Sequence, residues 1–130
     1  MIKKEVNSEF GEHIKTVRLK KLESDPNFSL RKVAKASNIK PGYLCKIENC
    51  EVQPPGEDSI KRLAGVLGEN QIKMLVLADK IPRELKEAIS KYPEEFEKLI
   101  KRIQTEPINV IEQINNNIDQ IIKTVRDGKW

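Results

Sequence analysis

Few residues in this chain are equipped for covalent or metal chemistry. His13 is the single histidine, and Cys45 and Cys50 are the only cysteines, so a zinc site lacks ligands. The two cysteines are too few for a disulfide framework, and five positions apart they would lie on different faces of one helix. They are expected to be free thiols in a reducing cytoplasm. No nucleophile–base pair and no phosphate-binding glycine loop stands out, and an enzyme is not expected. No metal or other cofactor is expected either.

Recognition of a polyanion is better supported. Residues 1–50 hold 11 Lys/Arg against 6 Asp/Glu, whereas residues 51–130 hold 13 against 14. The whole basic excess of a chain with net charge +4 therefore lies in its first part. Within it, Lys40-Pro41-Gly42-Tyr43 and Lys46 surround the start of a short helical pattern. A helix N-terminus offers unpaired amides and a positive dipole end to phosphate, and side chains beside it can reach base edges. Lys46 can donate to guanine acceptors, and Gly42 allows close backbone approach. Pro41 offers apolar contact, such as with a thymine methyl. Tyr43 has two readings, a hydroxyl reaching phosphate or a half-buried packing aromatic.

The elements that must position these residues are helical. Aromatics are 5% of 130 residues and no strand pattern is persuasive, so an all-α fold is expected. Phe10, Ile14 and Val17 repeat at helical spacing in a first helix from about Ser8 to Leu22, capped by Asn7 or Ser8 and ended by Asp25-Pro26-Asn27. Ser29 caps a second helix over 30–37, with Val33 and Ala34 inward. Asn38 suits a tight left-handed turn, and Pro41 opens a third helix with Leu44 and Ile47 inward. Pro54-Pro55-Gly56 leads to a fourth helix marked by Ile60, Leu63, Ala64 and Leu67 and ended at Gly68. Ile72, Leu75 and Val76 mark a fifth, and 79–82 reads as a linker.

Pro82, Pro93 and Pro107 then introduce three further helices, at about 83–91, 94–104 and 108–126. In the last of these, Ile111, Ile114, Ile118, Ile121 and Val125 fall at alternating spacings of three and four, a heptad-like seam. Such a stripe is either core within its own fold or a seam between subunits. Two short preceding helices cannot easily bury it all, which favours a homodimer. No stretch approaches the roughly 20 apolar residues of a membrane span, and no leader peptide is read at the start.

Two short helices joined by a tight turn inside a bundle of about five form the arrangement that presents a helix to the major groove. The ordered set Phe10-Gly11-Glu12, Arg18, Ser29 to Ala34, Ile39, Tyr43-Leu44, Ile47-Glu48-Asn49, Pro55 and Leu63-Ala64 resembles the phage-repressor-like (Cro and xenobiotic-response-element) helix-turn-helix family. The resemblance covers about 10–78. It implies a five-helix, lambda-repressor-like DNA-binding domain over 1–79, followed here by a three-helix dimerisation segment over 80–130. It implies a transcriptional regulator, a repressor in the first instance, that binds a palindromic operator on double-stranded DNA as a homodimer. It also implies a structural ion pair between Arg18 and Glu48.

The chain departs from the family at several points. The loop after the first helix is about five residues longer than usual. Leu30 stands where a phosphate-binding Gln is common, leaving Arg31 as the substitute. Asn38 and Cys50 replace glycines, and Lys40 replaces the Ser or Thr that caps the third helix. Residues 77–82 with Tyr92-Pro93-Glu94 resemble the tails of regulators inactivated by a zinc metallopeptidase, which would be a further partner. The competing reading is an antitoxin-type module whose tail binds a toxin and whose DNA binding is autoregulatory.

Overall fold

A computed structural model describes residues 8–128, and among them all regular structure is helical. Asn7, one of the two candidate caps, lies outside the described residues, as do Lys129 and Trp130. The helices are α1 (Ser8–Leu22), α2 (Leu30–Ala36), α3 (Pro41–Glu48), α4 (Glu57–Leu67), α5 (Gln71–Leu77), α6 (Arg83–Lys91), α7 (Pro93–Ile103) and α8 (Ile108–Arg126), with a single 3-10 turn at Pro26–Phe28. The described chain divides into two compact units, one ending at Lys86 and the other beginning at Glu87.

Local chemistry explains the boundaries of the first unit. The Asp25 carboxylate accepts from the Asn27 amide at 2.9 Å and starts the 3-10 turn. The Ser29 hydroxyl accepts from the Lys32 amide at 3.3 Å and caps α2. The Asn70 side chain caps α5 in the same way, accepting from Lys73 at 2.9 Å. Gly68 ends α4 at φ 68°, in the left-handed region that suits glycine.

Helical periodicity then builds one core. Phe10 and Ile14 from α1 meet Val33 and Ala34 from α2 and Leu44 and Ile47 from α3. Ile60, Leu63, Ala64 and Leu67 line the inner face of α4, and Met74, Leu75 and Ala78 close the core from α5 and its end. Of the three residues that marked the fifth helix, only Leu75 is buried: Ile72 is 47% and Val76 is 62% exposed. Burying neighbours Met74 and Leu75 turns positions two residues away to the opposite side. Gly11 permits the closest approach, because a methyl there would run into the Ile47 carbonyl oxygen of α3.

The segment 79–82, expected as a linker, is held by the first unit. Pro82 is fully buried, and the Glu57 carboxylate accepts from the Arg83 amide at 2.8 Å. Lys61 bonds the same carboxylate at 3.2 Å and, with the Arg83 amide, holds its pKa below the ordinary carboxylate value. In the second unit, by contrast, neither α7 nor α8 buries any residue, although each carries an apolar face. No helix among the described residues is long and apolar enough to cross a membrane.

Candidate nucleic-acid interface

The turn between α2 and α3 sets the geometry of the basic end of the molecule. Ser37 closes α2, and Asn38 takes φ 57°, the left-handed conformation that asparagine tolerates better than most residues. The Ile39 amide then donates back to the Ala34 carbonyl at 2.9 Å, and the Ile39 side chain enters the core. Lys40 follows in extended conformation as the residue before α3, and Pro41 is its first helical residue. The Lys40 ammonium, a donor only, cannot cap the helix amides, and the start of α3 has no side-chain cap. The Gly42 and Tyr43 amides belong to the first turn and have no partner within the helix.

Lys40, Pro41, Gly42 and Lys46 are all exposed, and Tyr43 is 39% exposed. Open space surrounds Gly42, so a partner's backbone or phosphate can approach it. The opposite face of α3 is buried through Leu44 and Ile47. Arg31 is exposed in the first turn of α2, away from the core residues Val33 and Ala34.

Two residues that the sequence does not mark as DNA contacts join this surface. Lys35 and Asn38 line a shallow surface cleft of about 440 Å3 with Ile39, Lys40 and Pro41. The signal for Lys35 was its position one helical turn after Arg31, which carries a second cation along α2 toward Lys40. Asn38 had been read only as a turn residue.

Polar contacts hold α3 and the turn before it. The exposed Arg62 of α4 donates through Nε to the Ser37 carbonyl at the end of α2 at 3.1 Å, and through Nη2 to the Ser59 hydroxyl of its own helix at 3.1 Å. At the far end of α3, Arg18 of α1 donates to Glu48 through Nε at 2.6 Å and through Nη2 at 2.8 Å. The Arg18 Nη1 group also reaches the Phe28 carbonyl at 3.2 Å, tying in the long loop after α1. Arg18 is 6% and Glu48 5% exposed. The bond to Glu48 raises the arginine pKa above its ordinary value, against the opposing effect of burial. This bidentate pair ties the C-terminal end of α3 to α1, and the Arg62–Ser37 bond ties the end of α2 to α4.

His13 and the cysteines lie apart from that surface chemistry. His13 Nε2 meets Glu69 Oε1 at 2.6 Å, linking α1 to the turn between α4 and α5. Cys45 and Cys50 are free. Cys50 is not on the helix with Cys45, because α3 ends at Glu48; it takes φ 59° and its thiol points to the Ser8 carbonyl at 3.5 Å. No group of three or more His, Cys, Asp or Glu among the described residues could hold a metal ion.

In the tail, Ile111 and Ile114 are half-buried, while Ile118, Ile121 and Val125 are 44%, 56% and 52% exposed. One copy of the chain therefore leaves much of this stripe in water. No family model, curated protein or solved structure matches the chain, so the role of these surfaces rests on their residues and geometry.

Proposed function

We propose that this chain is a sequence-specific DNA-binding regulator, a repressor in the first instance, that places α3 in the major groove of a palindromic operator. In this reading α2, the turn and α3 form a helix-turn-helix within a lambda-repressor-like arrangement of α1 to α5, the fold implied by the resemblance to phage-repressor-like regulators. The observation that carries it is the exposed outer face of α3, with Lys40, Gly42 and Tyr43 at its N-terminal end, Lys46 in its last turn and Lys35 beside the N-terminal end. Lys46 reads a base edge, while Lys40, Arg31, Lys35 and the first amides of α3 hold phosphates. Two copies joined through the tail read the two halves of the site. Between the stripe positions Asn115, Asn116, Asn117 and Gln120 are uncharged, and only Glu112, Asp119 and Lys123 carry charge.

Selection on randomised duplex DNA tests this assignment residue by residue. The wild type is expected to enrich a two-fold symmetric sequence. Lys46→Ala should lose preference at one base pair of each half-site, at a cost of about 1–3 kcal/mol there. Lys40→Ala should weaken all sequences evenly, as loss of a phosphate contact does. Enrichment of no sequence by the wild type would overturn the assignment, and an unchanged base preference in Lys46→Ala would remove that residue from the reading set.

A further inference from the structure

We infer that α7 is a second part of the subunit interface, pairing antiparallel with α7 of a second copy. The inference rests on the reading above that the tail joins two copies. Phe96, Leu99, Ile100 and Ile103 form one face of α7 at spacings of three and four. Phe96 and Ile103 are half-buried, while Leu99 and Ile100 are each 45% exposed. A continuous apolar face of this kind requires a cover.

The charges on α7 specify what covers it. Glu94, Glu95 and Glu97 occupy its first half, and Lys98, Lys101 and Arg102 its second. A parallel copy would set acidic beside acidic and basic beside basic. An antiparallel copy sets each acidic half against a basic half. Glu95 and Arg102 are seven residues apart and so lie along one flank of the apolar face. With the two-fold axis level with the step from Lys98 to Leu99, midway between the two residues, Glu95 faces the partner's Arg102, and the pair occurs twice. The Glu95–Lys98 contact within the helix, at 3.6 Å between exposed groups, is too weak to prevent this exchange.

The test is a charge-exchange series on the full chain, with dissociation constants from sedimentation equilibrium at low salt. Arg102→Glu and Glu95→Arg each convert two attractions into two repulsions. Each should raise the dimer dissociation constant roughly tenfold. The double variant Glu95→Arg/Arg102→Glu restores both pairs and should return to within about threefold of wild type. Both substitutions oppose the helix dipole, so an effect on α7 stability alone would make the double variant the weakest. That outcome overturns the inference. So does a wild-type dimer that Ile118→Glu splits but neither single charge variant weakens, in which case the α8 seam stands without α7. A wild type that stays monomeric at every concentration overturns both readings.

Discussion

Glu48→Ala is expected to destabilise the first unit by about 3–5 kcal/mol, the cost of leaving a buried cation without its partner. Arg18 is 6% exposed and two of its guanidinium nitrogens donate to the Glu48 carboxylate, so water cannot readily replace what is removed. A small domain has only about 5–15 kcal/mol in total, so a large share of its stability is at stake. The substitution also frees the far end of α3, and operator affinity should fall with it. The double variant Arg18→Met/Glu48→Leu should recover most of the stability, because it removes the buried charge together with its partner. Urea denaturation followed by circular dichroism measures both. A loss under 1 kcal/mol for Glu48→Ala would show that the pair is solvated, contrary to its burial.

Ile118→Glu is expected to have the largest effect on assembly. Ile118 is at the centre of the α8 stripe, and pairing of two copies would bury two carboxylates with no cation facing them. The variant should sediment as a monomer that keeps its helical circular dichroism, because the core of the first unit contains no residue of α8. Operator affinity should drop by about 100-fold or more, since each half-site then binds without the effective concentration that linkage provides. Unfolding of the whole chain would instead make the stripe internal core. An unchanged mass and an unchanged affinity would leave it with neither role.

The elements that carry local signals were legible in the sequence. Asp25-Pro26-Asn27 ends α1, Ser29 caps α2, and Pro41, Pro93 and Pro107 introduce α3, α7 and α8. Asn38 was readable as a left-handed turn because few side chains tolerate that conformation. What was not legible depends on residues far apart in the chain. His13 and Glu69 are 56 positions apart, and Arg62 and the Ser37 carbonyl 25, and no local pattern announces either contact. The attachment of the connecting segment 79–82 to the first unit was hidden for the same reason, since the Glu57–Arg83 bond arises only when α4 is folded beside it. The third helix had its register from Leu44 and Ile47, which places Lys46 outward. Lys35 reaches the same surface only through the turn that brings α2 to α3.

The central claim, that the exposed end of α3 engages operator phosphates and bases, is tested most directly by the salt dependence of binding to the selected duplex. Affinities of the full chain for that duplex and for a scrambled one are measured by fluorescence anisotropy between 50 and 200 mM salt. Phosphate contacts from Arg31, Lys35, Lys40 and the first amides of α3 on both half-sites amount to roughly six to eight per dimer. Affinity for the selected duplex should then fall by a factor of about 1,000 or more over that range, linearly in log–log form. It should also exceed affinity for the scrambled duplex by at least about 1,000-fold. Binding that ignores salt, or that does not distinguish the two duplexes, would contradict the account.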